Sequence, residues 1–502
     1  MNPMPAFPWL SLLIFLPLAG AFLCLLRRDN GAEVRALALA VTTAVFGFAV
    51  WLFARFPHGG SGWQLAEDHA WIPRFGIRYT LGLDGLSLLM VLLTAFLLVI
   101  AVLVSWNAVE RHAAFYYALL LVMETGILGV FLSLDLILFY LFWELMLIPM
   151  FFLIGVWGHG RRIYAAVKFF LFTLAGSLLM LVAILVLYFV HGKQSGDYSF
   201  ALSALKQTTL TGALPWYLYG AFVAAFAVKV PLVPVHTWLP DAHTEAPTAG
   251  SVILAGLLLK TGVYGLLRFA FPLFPGPAMA SLPLLGVLGL VGIFYAAWIA
   301  TVQADAKRLV AYSSVAHLGF VIIGLAAWNA TALSGSILQM VNHGITTGAL
   351  FAMVGMIDAR ARTRRLDSLG GLWARVPVLS AFFLFFCLAS LGLPGLNNFT
   401  GEIIILLGTF KSRPELAIPA AAGVVLAAAY TLRLLREVLW GAPLGRDPWP
   451  DLSFREGLIL VPLAILVVWL GLYPATFLAP IGEPVRQLLH GATQVALQGG
   501  LP

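Results

Sequence analysis

The sequence predicts an all-α polytopic membrane protein with about fourteen transmembrane helices. It further predicts two inverted five-helix repeats, each with one broken helix. Three observations lead there. Of the 502 residues, 61% are hydrophobic and only 10% are charged, where soluble domains carry roughly 25% charge. Apolar runs of about 20 residues, each long enough to cross a bilayer as a helix, recur from end to end. Two of these runs, one in each half, are interrupted by proline among polar residues.

The first run, 9–26, is followed by Arg27 and Arg28. A secretory signal carries its basic residues before the apolar stretch, so this reversed order predicts a retained span with its N-terminus outside. Further spans are expected near 34–56, 81–106, 113–134, 136–157, 164–190, 216–229, 247–270, 282–302, 309–328, 333–357, 376–411, 417–439 and 458–478. The expected organisation is three N-terminal helices over 1–112, a first repeat over 113–270, an inverted second repeat over 281–440, and a C-terminal helix and tail over 441–502. With this count, the loops assigned inward and their flanks carry about twice the basic residues of the opposite loops, as positive-inside sorting requires. The net charge of +7 is explained that way, without nucleic acid. The location expected is the bacterial inner membrane, with both termini on the periplasmic side.

Cys24 and Cys387 lie inside apolar runs and form no CxxC or Cys/His pattern, so inert thiols are expected, neither a disulfide nor a metal site. No phosphate-binding glycine loop, nucleophile arrangement or redox-cofactor motif is visible, so no cofactor is expected in this chain.

The stretch that organises the chain is AFVAAFAVKVPLVPVHTWLPDAHTEAPTAGSVILAGLLLKTGVYGLLRF, residues 221–269. A helix is expected to stop at Lys229, because Val230 precedes a proline and Pro231 and Pro234 lack N–H donors. The carbonyls of Ala227 and Val230 then lose helical partners. The second break falls at Leu393-Pro394-Gly395-Leu396-Asn397-Asn398. Irregular backbone within a membrane is tolerated only where protein or a watery cavity surrounds it.

Ionisable residues in apolar spans cost about 3 kcal/mol each, so they are seldom decorative. Glu144 lies about 14 Å into its span and Lys260 about 20 Å into its own. Glu144 and Lys229 are each other's natural partner, and a structural ion pair is the plain alternative to a proton-exchanging one. Lys260 has no acid nearby in sequence; burial disfavours its ammonium and makes it a candidate relay, against a structural lysine solvated by water. His317 and His343 lie mid-span among Ser, Asn and Thr, where they can pass protons or simply bond a neighbouring helix. Glu402 follows the second break. Asp135 stands at a span edge, where it can cap a helix. Glu124 is mid-span without a visible partner. His236, Asp241, His243 and Glu245, in the turn after the first break, lead protons inward or are solvated. Asp305, Lys307 and Arg308 read as a topology anchor. The separations Glu144–Lys229 and His317–Glu402 are equal, which suits the two repeats.

The segments WELMLIPM, FAVKVPLVPVHTWLPDAHTEAPTAGSVILAGLLLKTGVYGLLRF, DAKRLVAYSSVAHLGF and GLPGLNNFTGE resemble the antiporter-like membrane subunits of respiratory complex I along essentially the whole chain. Glu402 sets this chain apart from the L-type and N-type subunits and from the Mrp antiporters, which resemble it but generally carry lysine there. The resemblance implies proton translocation driven by NADH oxidation and quinone reduction in other subunits. NADH, FMN, iron–sulfur clusters and quinone would then belong to partner subunits, with L-type and N-type chains on either side. It also implies roles: Glu144 with Lys229 as a charge-pair switch, Lys260 as central relay, His317 and His343 as connecting relay, and Glu402 as the outward terminal group. Two alternatives stand beside this reading, an Mrp-type cation/proton antiporter subunit and a non-conducting membrane scaffold.

Overall fold

A computed structural model of the chain describes residues 7–27, 30–57, 62–441 and 449–498. Arg28 and Arg446, both counted on the inward side, lie outside the described residues. Among the described residues, twelve helices are long and apolar enough to cross a membrane. They are α1 (Trp9–Leu26), α2 (Gly31–Arg55), α3 (Gly85–Ser105), α4 (Ala113–Leu132), α5 (Leu136–Trp157), α6 (Arg162–Ser195), α9 (Thr248–Leu273), α10 (Pro275–Thr301), α11 (Ala306–Ala327), α12 (Ala330–Ala361), α15 (Pro414–Leu439) and α16 (Phe454–Leu472). The two interrupted segments supply α7 (Leu214–Lys229) with α8 (Trp238–Glu245), and α13 (Pro377–Leu391) with α14 (Asn397–Ser412). A last amphipathic helix, α17 (Gly482–Gln498), follows.

Helix ends are fixed where the sequence offers capping groups. Asn30, Asp84, Asp135, Asp305 and Asn329 accept backbone N–H bonds at the starts of α2, α3, α5, α11 and α12, and Ser453 with Glu456 forms a capping box on α16. Helix α1 has no such residue. Its first N–H groups, from Leu10 and Ser11, donate to Glu67 at 2.7 and 3.2 Å, a residue of a two-stranded hairpin. That hairpin, β1 (Gln64–Ile72) and β2 (Ile77–Leu83), departs from the helical expectation for 81–83. Gly76 turns it at φ 63°, and a Cβ there would lie 1.7 Å from the carbonyl oxygen of Tyr198, so only glycine lets the hairpin tip seat on that loop.

Burial sorts the helices into two classes. In the most apolar windows of α1, α2, α6, α10, α15 and α16 fewer than half the residues are buried, whereas α9 is wholly enclosed and α11 and α12 nearly so. The enclosed helices carry Lys260, His317 and His343, as expected where ionisable groups avoid hydrocarbon. Helix α1 starts at the hairpin, and Pro480 before α17 packs on Gly85 beside it, so the first and last spans meet the same end of the bundle. A buried ion pair, Arg360–Glu456 at 2.7 Å, ties α12 to α16 at the opposite end.

The expectation that only two spans are interrupted is corrected. Helix α5 has a turn at Met146, where Pro149 withholds the N–H that Leu145 would accept. Helix α9 widens into π turns at Leu254–Leu258, with no proline beside it, and at Leu266–Ala270, where Pro272 withholds the N–H that the Arg268 carbonyl would accept.

Candidate functional site

The first break holds its own backbone better than the sequence suggested. The last α7 bond runs from Val230 N to the Phe226 carbonyl at 2.8 Å. The Ala227 carbonyl, expected to be free, accepts from Leu232 N at 2.9 Å, a residue beyond the proline. The indole of Trp238 donates to the Val228 carbonyl at 2.9 Å. Helix α8 is pinned by Asp241, which pairs with Lys168 at 2.7 Å and Arg308 at 3.6 Å. The break lies directly on α9: a Cβ on Gly262, two residues past Lys260, would meet the Phe226 carbonyl oxygen at 2.8 Å and Val230 N at 2.9 Å.

The second break is turned by Gly392 and Gly395 at φ 86° and 92°. Helix α12 satisfies the chain that follows. Asn342 Nδ2 donates to the Asn397 carbonyl at 2.6 Å, Asn397 Nδ2 returns a bond to the Asn342 carbonyl at 3.1 Å, and Thr346 donates to Asn397 Oδ1 at 3.0 Å. The irregular backbone is thus buried in protein, the condition for tolerating it at membrane depth.

Four of the six principal residues are brought into one line. Lys260 Nζ lies 2.6 Å from His343 Nδ1 and also donates to the carbonyl of Ala255, inside the first π turn of α9. The wider turn frees that carbonyl for the ammonium; such bulges recur at functional sites. The rings of His343 and His317 lie 5.9 Å apart between centroids. His317 Nδ1 lies 2.8 Å from Glu402 Oε1. Gln339 Nε2 donates to the same carboxylate oxygen at 3.2 Å. All four side chains are buried.

Glu144 and Lys229 are not brought together. No ion pair joins them, and Lys229 Nζ and Glu144 Oε1 are both buried without a hydrogen-bond partner. Lys229 instead sits between aromatic faces, 5.2 Å from the ring centre of Trp143 and 5.6 Å from that of Phe169. Glu144 remains the acid electrostatically coupled to it. The plain alternative, a formed structural ion pair, is therefore absent from this geometry.

The remaining residues divide. Asp135 caps α5, accepting from Ile137 N at 3.0 Å, Leu138 N at 3.1 Å and Arg78 N at 3.3 Å. Burial pushes its carboxyl up to about 6, against the opposing pull of those N–H groups and of Arg78. Its bonds are those of a cap, and asparagine is an equally good cap. Asp135→Asn is expected to leave assembly and pumping near normal, while Asp135→Ala loses about 1 kcal/mol of helix stability and lowers the yield of assembled complex on a native gel. Pumping lost in Asp135→Asn at full assembly would place Asp135 on the proton path. Glu124 is fully buried, and neither carboxylate oxygen has a partner. His243 stacks on Phe351 at 4.6 Å with both ring nitrogens unpartnered, and it is electrostatically coupled to Lys307 and Lys260. His236 packs edge-on to Tyr295. Lys307, expected as part of a topology anchor, is buried and donates to the Ala246 carbonyl at 2.5 Å.

Tyr430 and Ser390 were not legible as site residues. They lie 3.2 and 3.5 Å from His317 Nε2, on the face opposite Glu402. In sequence Tyr430 is one aromatic in an apolar run, and nothing in its spacing marks it.

A multi-pass helical protein whose enclosed helices carry ionisable side chains, two of its segments broken outright, defines a class of polytopic membrane chain. Residues 133–427 match the family model described as NADH:quinone oxidoreductase/Mrp antiporter, transmembrane, and the chain belongs to that family. It is 46% identical over 501 residues to NADH-quinone oxidoreductase subunit M of Pseudomonas aeruginosa, with 97% of each chain covered. Among solved structures it is similar to a chain of respiratory complex I from Thermus thermophilus, at 32% identity and a TM-score of 0.86, covering 96% of this chain and 99% of that one. A chain of the Mrp complex from Dietzia superposes with a TM-score of 0.87 at 20% identity, covering 98% and 99%, a likeness of fold alone.

Proposed function

We propose that this chain is a non-redox, proton-translocating subunit in the membrane arm of NADH:quinone oxidoreductase. The observation that carries the reading is the buried contact series Lys260–His343–His317–Glu402, which crosses from α9 through α12 and α11 to α14. His343 Nε2 is unpartnered, and the spacing of the two imidazoles suits one bridging water. A proton arriving at Lys260 is handed to His343, across that water to His317, and to Glu402. Lys229 is the donor to Lys260, and Glu144 controls it. Approach of the carboxylate favours the ammonium, and its withdrawal leaves the charge to the aromatic rings and favours release. Glu124, His236 and His243 remain lower-order members of the path.

In this reading each broken segment counts as one span, giving fourteen, and the halves over 113–270 and 281–440 are inverted repeats. The redox groups sit in partner subunits, L-type and N-type chains flank this one, and both termini face the periplasm of a bacterial inner membrane. The series Lys260 to Glu402 favours this reading over a scaffold, and the likeness to subunit M favours it over an Mrp-type antiporter. The test is flux in proteoliposomes. The purified complex is expected to acidify the lumen when given NADH and quinone, with no sodium requirement. Sodium-dependent proton flux without NADH, from a preparation lacking redox subunits, would instead support the antiporter reading.

A further inference from the structure

A cavity of about 800 Å³ opens at the hairpin end of the bundle, away from the proton line. Its walls are the turn between α9 and α10, the segment that leads into α7, and the start of α17, with Trp63 and Trp328 among its lining. Three charged side chains line it: Arg268, Lys206 and Asp84. Asp84 is fully used. Both its oxygens accept from Arg268 Nη2, at 2.7 and 2.6 Å. Arg268 Nε goes to the Tyr264 hydroxyl at 3.1 Å, and its guanidinium lies over Trp63 at 4.6 Å. Among the described residues, Nη1 makes no hydrogen bond, and Lys206 Nζ has neither an ion-pair nor a hydrogen-bond partner.

Several other polar groups around the cavity are already committed. The Thr208 hydroxyl bonds His191 Nδ1 at 2.9 Å, Thr209 N donates to Gln194 at 3.0 Å, and Gln487 donates to Glu483 at 3.1 Å. Glu483 is itself paired with Arg486 at 2.8 Å. What is left over in charge is one positive unit, presented by the Lys206 ammonium and the Nη1 amino group of Arg268 in a partly enclosed, aromatic-walled space. Burial and the neighbouring Arg268 hold the Lys206 ammonium below the usual lysine range, a cost that an anion in the cavity would remove.

The position selects the kind of anion. The cavity lies where α7 begins and α9 ends, and Pro215 in its wall adjoins Trp216 and Tyr217, which are 51% and 74% exposed. Exposed aromatics at span ends mark headgroup depth in a membrane protein. We propose that this cavity holds the phosphate of an anionic membrane phospholipid, with Lys206 Nζ and Arg268 Nη1 as its ligands and the acyl chains leaving past Pro215 and Trp216. The site is independent of the proton path, and its test does not read pumping.

The assembled complex is labelled in vesicles containing phosphatidylglycerol with a photoactivatable acyl chain, then digested and mapped. Crosslinks are expected in peptides 206–217 and 267–277. Lys206→Gln is expected to lower their yield about fivefold, the contribution of one lysine at an anionic membrane surface, and Lys206→Arg to restore it. The Lys206 ammonium bonds no other side chain or carbonyl among the described residues, and its backbone N–H bond to the Leu202 carbonyl survives substitution, so a native gel should show both variants fully assembled. Labelling of these peptides that Lys206→Gln leaves unchanged overturns the proposal. Displacement of the lipid by millimolar inorganic phosphate overturns it too, assigning the cavity to a small soluble anion. A carbodiimide crosslink from Lys206 to a carboxylate of a neighbouring subunit also overturns it.

Discussion

Lys229→Ala is expected to lower NADH-driven proton translocation about a hundredfold, the usual weight of one positioned proton-transfer group, while assembled complex stays near its normal level. The two halves of that expectation rest on different observations. Assembly should survive because Lys229 makes no hydrogen bond and no ion pair, so its removal orphans no partner. Its attraction to Trp143 and Phe169 is worth about 2 kcal/mol, which roughly offsets the insertion cost of about 3 kcal/mol for a mid-membrane lysine. Lys229→Met keeps the aliphatic stem between the rings and should assemble at least as well. Pumping should fail because α7 ends at this residue and its break lies on Gly262, beside Lys260, so no other amine stands at that junction. Lys229→Arg should fail as well, since a guanidinium does not release its proton at working pH. Proteoliposome acidification per NADH oxidised measures this directly. A normal ratio in assembled Lys229→Ala complex would move the switch elsewhere.

Spans were legible because a single property, about 20 apolar residues in a row, decides them. The hairpin was not. QLAEDHAWI carries Glu67, Asp68 and His69 in succession, which hides a strand whose purpose is to cap α1 and pair with β2. The short apolar end of β2, Leu81–Gly82–Leu83, reads as the start of the helix it precedes. The two breaks with paired turn-forming residues were visible, and the first π turn of α9 was not, because no residue type demands it. The site shows the same limit. Each buried Lys, His and Glu stood out by its cost, but nothing linear joins Lys260 to His343, which touch across helices. Equal spacing does not mean equal contact. His317 and Glu402 are bonded, while Glu144 and Lys229, separated by the same stretch of chain, are not. Sequence spacing fixes which helices carry a pair, and packing fixes whether the pair closes.

That difference between the halves shapes the second large expectation. Glu402→Gln keeps the size of the side chain and its amide oxygen can still meet His317 Nδ1 and Gln339, so folding should be little changed. It removes the group that takes up the proton, and pumping should fall about a hundredfold. Glu402→Lys poses a sharper question. In the first half of the series an amine, Lys260, already meets an imidazole Nδ1 at 2.6 Å. An amine at 402 would face His317 Nδ1 in the same way, with Gln339 turning its amide oxygen toward the new donor. If what His317 requires is a neighbour that exchanges a proton, whatever its charge, Glu402→Lys should retain pumping within about tenfold of normal, well above Glu402→Gln. If instead the negative charge of Glu402 is what draws the proton from His317, both variants should fail alike. Proton-to-electron ratios of the two variants in the same vesicles separate these outcomes, and a normal ratio in assembled Glu402→Gln complex would remove the relay role assigned here while leaving the Lys260–His343 contact as the path's last secure step.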